Sequence, residues 1–188
     1  MAKAVKIVLA GEGGQGVQSV AEILAEAANT EGREALYIPN FGVEQRGGVS
    51  VAYLQISDEA IGSPKFQKGD IVVALSERAV LRTQRYVDGN TTFVYDTSIE
   101  GIEDQLPKNA GRVLAIPAIE VSKEEFHPRV FNILIMGAVI GATGVVPLDR
   151  VKAAIEEKLG YKFQENPKLR ELNFGALERG IDLVQKAQ

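Results

Sequence analysis

Short apolar runs alternate with amphipathic stretches along the first two thirds of the chain. The runs are rich in Val and Ile, which predicts buried strands at residues 4–10, 35–38, 49–57, 70–75, 91–95 and 112–116. Residues 17–29 and 77–86 instead place apolar side chains three and four positions apart, as helices with one buried face do. This alternation predicts a doubly wound, mostly parallel α/β sheet with helices on both faces. Its ligand crevice should lie at the carboxyl ends of the strands.

The last third of the chain has a helical pattern. Residues 130–140 are apolar nearly all round, which predicts a buried helix. Pro147 and Pro167 each stand where a proline opens a helix, and these helices should run to about residues 159 and 185. No linker or repeat interrupts the sequence, so residues 1–188 are predicted to form a single domain with a helical C-terminal third.

Composition removes several classes of chemistry. The chain has 188 residues, no cysteine and one histidine. It therefore cannot hold a disulfide, a cysteine-ligated iron–sulfur cluster or a zinc site of the cysteine type, and we predict no metal site and no catalytic triad. The net charge of −4 without a basic run argues against nucleic acids and anionic membranes as partners. No stretch of about 20 apolar residues and no cleavable signal appear, which predicts a cytoplasmic protein.

A glycine loop, Gly11-Glu12-Gly13-Gly14-Gln15-Gly16, separates the first strand from the first helix. Its GxGxxG spacing allows a tight turn and brings bare amide groups to the positive end of a helix, where an anion such as a phosphate is favoured. We predict that a cofactor contacts it through five residues, Gly11, Gly13, Gly14, Gln15 and Gly16. An alternative is that these glycines only let the first helix pack closely on the sheet.

The second strand argues against a complete NAD(P) site. A dinucleotide fold needs an acidic residue at the end of that strand to hold the ribose hydroxyls. Here the strand ends Tyr37-Ile38-Pro39-Asn40, with neither an acid nor an arginine suited to NADP.

A second glycine-rich bend follows at once. Residues 41–48 read Phe-Gly-Val-Glu-Gln-Arg-Gly-Gly, and in a doubly wound sheet they should stand near the first glycine loop. Arg46 could clamp a phosphate or carboxylate, or pair with Glu44 or with an acidic group on a partner chain. We predict that Arg46, Gly47 and Gly48 belong to the same cofactor-binding surface.

The two bends together carry a resemblance. GxGGQG at residues 11–16 and FGxExRGG at residues 41–48 resemble the gamma subunit of the 2-oxoacid:ferredoxin (acceptor) oxidoreductases, and also the smaller subunit of indolepyruvate oxidoreductases. Three further blocks of the chain fit the same family: Ile61-Gly62-Ser63-Pro64, Asn132, and Asn173-Phe174-Gly175. Val43 departs from the pattern, since many members have proline there.

The resemblance implies a subunit that is inactive alone. Such enzymes decarboxylate a 2-oxoacid oxidatively on thiamine diphosphate, form acyl-CoA and pass electrons through iron–sulfur clusters to ferredoxin or another acceptor. The resemblance places the thiamine site and the clusters in alpha, beta and ferredoxin-like (delta) partner subunits. It gives this chain no cofactor of its own, only a share in a coenzyme A site. Pyruvate, branched-chain 2-oxoacids, 2-oxoglutarate and indolepyruvate all remain open as substrates.

Two other functions stay open at this point. One is a free-standing nucleotide-binding module or small dinucleotide-dependent oxidoreductase, and the other is a purely structural scaffold subunit. Among the remaining polar residues, Asp96 follows a strand and is interpreted as a turn or helix cap, and His127 before Pro128 as a local cap. Glu12 within the glycine loop is expected to point to solvent or to a partner subunit.

Overall fold

The computed structural model describes residues 4–41 and 48–187. Within these residues six strands form a single sheet: β1 Val5–Gly11, β2 Glu34–Asn40, β3 Ser50–Ser57, β4 Ile71–Ala74, β5 Thr92–Asp96 and β6 Arg112–Ile116. The helices are α1 Val17–Thr30, α2 Glu77–Thr83, α3 Ala118–Glu124, α4 Phe131–Thr143, α5 Leu148–Glu165 and α6 Lys168–Ala187. The α/β class and the helical C-terminal third are confirmed.

The sheet is mixed in one place. Its strand order is β2-β3-β1-β4-β5-β6, and β1, β4, β5 and β6 pair in parallel. β3 pairs antiparallel with both β1 and β2, so it alone runs against the other five strands. The reason is the link between β2 and β3, residues 41–49, which is shorter than the dozen or so residues that a parallel crossover needs.

The two faces of the sheet are covered unequally. The larger core packs α1, α3, α4, α5 and α6 against one face, with Leu9, Leu54 and Val73 among its fully buried strand residues. The second face is covered by α2 and by irregular chain, and its core is smaller. Both faces therefore carry helices, but only one face is fully covered by them.

The apolar helix α4 is buried as its sequence predicts, and nine of its residues are buried. It ends at Gly144, whose φ of 60° turns the chain toward α5, so residues 141–147 form a helix–helix turn. Glycines bring α4 and α6 into backbone contact. A Cβ on Gly137 would lie 3.0 Å from the Cα of Gly180 and would overlap the carbonyl oxygen of Leu177.

Asp96 caps a turn and a helix, as predicted. Its carboxylate is fully buried, and its two oxygens accept hydrogen bonds from the backbone N–H groups of Ser98 (2.9 Å) and Ile119 (2.9 Å). The N–H group of Ile119 lies in the first turn of α3, a short helix whose start the sequence pattern did not predict. His127 likewise caps locally, because its Nδ1 accepts from the N–H of Arg129 at 3.1 Å.

Replacing the buried carboxylate by its amide should weaken the fold moderately. In Asp96→Asn one oxygen becomes an NH₂ group that faces a backbone donor, so one N–H loses its acceptor. We expect a loss of about 1–2 kcal/mol in the free energy of unfolding. Urea denaturation measures it, with Asp104→Asn on an exposed 3-10 turn as the control. Equal stability of both variants would show that the cap contributes nothing.

An ion pair joins the end of α3 to α6 at the surface. Arg179 donates from Nε and Nη2 to the two oxygens of Glu125, each at 2.8 Å, and these bonds lower the pKa of the Glu125 carboxyl. A lowered folded-state pKa means that the stabilisation is present above the unfolded value and is lost as the pH falls through the folded one.

Glu125→Gln should therefore cost a small, pH-dependent amount. The pair is solvent-exposed, so we expect about 0.5 kcal/mol at neutral pH. The difference from the unmodified chain should vanish below the lowered pKa of Glu125. Urea denaturation over a descending pH series measures it, and a constant difference down to acid pH would contradict the assignment.

Within residues 4–41 and 48–187, no helix combines the length and the apolar character that crossing a bilayer requires.

Candidate functional site

Both glycine bends leave the sheet at the same end. β1 finishes at Gly11, which lies opposite Ser50, the first residue of β3. β2 finishes at Asn40, which lies opposite Val51. A hydrogen bond ties the two regions together, because Nε2 of Gln18 in α1 donates to Oγ of Ser50 at 2.6 Å. The carboxyl ends of β1 and β2 and the start of α1 therefore share one rim of the sheet, which we call the glycine rim.

The candidate residues of the second bend fall partly outside the described chain. Arg46 and Gly47 lie within residues 42–47, beyond the described residues, so their placement on the glycine rim stays a prediction. Gly48 is described and half-buried, immediately before Val49 and β3.

Gln15 holds the first bend in shape. Its Oε1 accepts from the N–H of Glu12 at 2.7 Å, and its Nε2 donates to the carbonyl oxygen of Leu75 at 2.7 Å. Leu75 follows β4, so this one amide fastens the glycine loop to the neighbouring strand. The Gln15 side chain is thus engaged within the chain, and its contribution to the site is to position the loop.

The tip of the loop is bare. Gly13 and Gly14 are exposed, and a Cβ on either would meet no atom within 4 Å. Their N–H groups make no hydrogen bond to any described residue. α1 begins behind them without a side-chain cap and with no acidic residue in its first turn. The positive end of a 14-residue helix therefore faces an open approach, an arrangement that favours an anion.

Gly16 closes the loop against a second helix. Its φ of 74° is left-handed, and a Cβ there would lie only 2.8 Å from the Cβ of Asn132. Asn132 is the second residue of α4. Its side-chain amide makes no hydrogen bond to the described residues. Glycine at position 16 is therefore required by backbone geometry and by close packing at once.

Two basic residues near the glycine rim were not predicted from the sequence. Arg78 and Arg82 of α2 line a cavity of about 440 Å³ together with Leu81 and Val49, the residue that follows the second bend. α2 follows β4, the strand beside β1, so these arginines stand near the glycine rim. Arg78 and Arg82 are four residues apart on a predicted helix, so they lie on the same face of it. This spacing could have identified them from the sequence.

An uncapped helix start and bare glycine amides at the carboxyl ends of an α/β sheet define an anion-receptive module. The chain belongs to the pyruvate ferredoxin/flavodoxin oxidoreductase family, which it matches over residues 6–183. It is 33% identical, over 97% of its length, to the ketoisovalerate oxidoreductase subunit VorA of Methanothermobacter marburgensis. The chain spans 37% of the length of that relative.

Two solved structures share the fold. The gamma subunit of a keto/oxoacid ferredoxin oxidoreductase from Geobacter sulfurreducens is 26% identical, with a TM-score of 0.82 and 98% of each chain covered. The 2-oxoglutarate:ferredoxin oxidoreductase of Magnetococcus marinus, solved with 2-oxoglutarate, coenzyme A and succinyl-CoA, is 24% identical with a TM-score of 0.89. That match covers 99% of this chain and 32% of the other, and it speaks for the fold alone.

Proposed function

We propose that this chain is the gamma-type subunit of a multi-subunit 2-oxoacid:acceptor oxidoreductase and has no activity by itself. In the proposed reaction a 2-oxoacid and coenzyme A give acyl-CoA and CO₂, and two electrons pass to ferredoxin or another acceptor. One observation carries the proposal, the end-to-end likeness to a gamma subunit of a keto/oxoacid ferredoxin oxidoreductase. The glycine rim and the family match over residues 6–183 support it.

In this proposal the iron–sulfur clusters and thiamine diphosphate are bound by partner subunits. A chain without cysteine cannot ligate an iron–sulfur cluster, so the clusters must be carried by a ferredoxin-like (delta) subunit. Thiamine diphosphate would be held by the alpha and beta subunits, where it supplies the carbanion chemistry of decarboxylation. This chain would bind no cofactor alone and would complete the assembly.

The glycine rim is the surface that we assign to coenzyme A. The N–H groups of Gly13 and Gly14 and the start of α1 offer hydrogen-bond donors to a phosphate, and Gln15 holds them in place. Arg46, Gly47 and Gly48 would complete this surface from the second bend. The anionic diphosphate of coenzyme A suits such a site, and the thiol at the end of its pantetheine arm would reach the partner subunits.

Reconstitution tests the subunit role. The chain co-expressed with its alpha, beta and delta partners should yield 2-oxoacid oxidation that requires coenzyme A, followed by acceptor reduction. The isolated chain should be colourless and should reduce no acceptor. We expect omission of this chain to lower the turnover number at least tenfold, and full activity of the remaining subunits would overturn the proposal.

A single methyl group tests the coenzyme A surface. Gly13→Ala adds a Cβ in open space without a left-handed φ, so the fold should be unchanged. The same methyl group would obstruct a phosphate approaching the loop, and we expect the KM for coenzyme A to rise about tenfold with assembly intact. Gly89→Ala is the control, since Gly89 is equally open and precedes β5 at the opposite end of the sheet. A scaffold role predicts no change in KM for either variant.

A further inference from the structure

A cavity opens on the thinly covered second face of the sheet, beside the edge strand β2. Its volume is about 570 Å³, within the range of pockets that bind small molecules. Strand residues, an irregular segment and the 3-10 turn after α2 form its walls. The described lining residues are Ile38, Pro39, Asn40, Phe41, Tyr53, Pro64, Lys65, Phe66, Arg85 and Tyr86.

Three aromatic rings form the apolar part of this cavity. Tyr53, Phe66 and Tyr86 meet edge to face, with ring centroids 5.5–6.4 Å apart. The hydroxyls of Tyr53 and Tyr86 are 2.9 Å apart and share a hydrogen bond. Burial raises the pKa of the Tyr53 hydroxyl, and its hydrogen bond to Tyr86 acts in the same direction, so the Tyr53 hydroxyl stays protonated at neutral pH. The rings therefore form a fixed surface on which a flat ring can stack.

Two cations stand at the same cavity. The guanidinium of Arg85 lies 4.8 Å from the centroid of the Tyr86 ring, and Nη2 donates to the Tyr86 hydroxyl at 2.6 Å. Arg85 also forms a hydrogen bond with the Tyr53 hydroxyl, and a guanidinium carries five N–H donors, so donors remain for a ligand. Neither Arg85 nor Lys65 forms an ion pair with a described residue, and the described part of the lining contains no acid. In a chain of net charge −4 this is a local excess of positive charge.

We propose that this cavity is a nucleotide site, which takes a heteroaromatic base on the Tyr53–Phe66–Tyr86 cluster and phosphate on Arg85 and Lys65. A flat ring is recognised through its face without regard to sequence or substituents, and an arginine fork matches the geometry of phosphate oxygens. Two cations that form no ion pair with a described residue suit a phosphate group with more than one negative charge. The base would fill the aromatic part of the cavity, and the phosphates would lie at its rim.

The cavity adjoins the glycine rim at the carboxyl end of β2, where Ile38, Pro39 and Asn40 line it, and its assignment as a nucleotide site does not rest on the proposed function. None of the described lining residues belongs to the first glycine loop or to α1. Two kinds of ligand have this chemistry: a free nucleotide, and the nucleotide end of a larger cofactor such as coenzyme A. The shared feature is the base joined to phosphate, and the titrations below separate the two sources.

Calorimetric titration of the full chain with ADP, adenosine and inorganic phosphate tests the proposal. ADP should bind at least tenfold more tightly than either of the other two, because only ADP uses both parts of the cavity. Arg85→Gln should weaken ADP about tenfold and leave adenosine unchanged, whereas Phe66→Leu should weaken both. Arg112→Gln, at the first residue of the opposite edge strand β6, is the matched charge control and should change nothing.

The outcomes decide between sites and sources. Tighter binding of coenzyme A than of ADP, with the same tenfold loss in Arg85→Gln, identifies the nucleotide end of a larger cofactor as the ligand. If coenzyme A and ADP bind equally tightly, and Arg85→Gln weakens the binding of each about tenfold, the ligand is a free nucleotide. ADP binding that is no tighter than that of phosphate overturns the proposal. It is also overturned if Arg85→Gln has no effect while Gly13→Ala abolishes ADP binding, since the ligand would then lie at the first glycine loop.

Discussion

Gly137→Ala and Gly180→Ala should each lower the free energy of unfolding by about 3 kcal/mol or more. A Cβ on Gly137 would overlap the carbonyl oxygen of Leu177, and one on Gly180 would overlap that of Leu134. These are backbone atoms of the facing helix, so no side-chain rotation relieves the collision. Adding volume to a packed core costs about 1–3 kcal/mol when side chains can shift, and here α4 and α6 would have to move apart.

Urea denaturation of the two variants measures this cost, and the chain offers a matched control. Gly160 lies within α5, and a Cβ there would meet no atom within 4 Å. Gly160→Ala should therefore stabilise the chain by about 0.5–1 kcal/mol, because alanine is the better helix former. If all three variants were more stable than the unmodified chain, helix propensity would outweigh the α4–α6 contact and the predicted collision would be refuted.

The sequence predicts the helical third well because its signals are local. A helix that is apolar all round must be buried to keep its side chains from water. Pro147 and Pro167 mark the starts of α5 and α6 within one residue. The close contact of Gly137 with Gly180 was not predictable, since it depends on which faces of α4 and α6 meet. The bounds of α3 were not predicted, because it is a short helix capped by Asp96, a residue distant from it in sequence.

The direction of β3 shows a different limit of sequence reasoning. Its apolar run predicts a buried strand equally well in either direction, and only the length of residues 41–49 favours antiparallel pairing. The glycine loop was correctly placed between β1 and α1, because that position follows from the order of elements. The aromatic cluster of Tyr53, Phe66 and Tyr86 escaped notice because its members come from three separate segments.

Gly16→Ala should damage both the fold and the coenzyme A surface that we propose. The left-handed φ of 74° costs a residue with a Cβ about 1–2 kcal/mol, and the collision with Asn132 at 2.8 Å adds to this. We expect a total loss of about 2–3 kcal/mol in the free energy of unfolding. In the reconstituted enzyme the displaced loop should raise the KM for coenzyme A more than tenfold, because the amides of Gly13 and Gly14 would no longer be aligned.

A double-mutant cycle separates the two causes. Asn132→Gly removes the facing Cβ and amide, so in Gly16→Ala/Asn132→Gly the collision is absent while the backbone strain at position 16 remains. The double variant should be about 1 kcal/mol more stable than the sum of the single losses predicts. Additive losses would mean that α4 already yields to the added methyl group. In that case Asn132 does not fix the loop, and the rise in KM must come from the strained backbone of Gly16 alone.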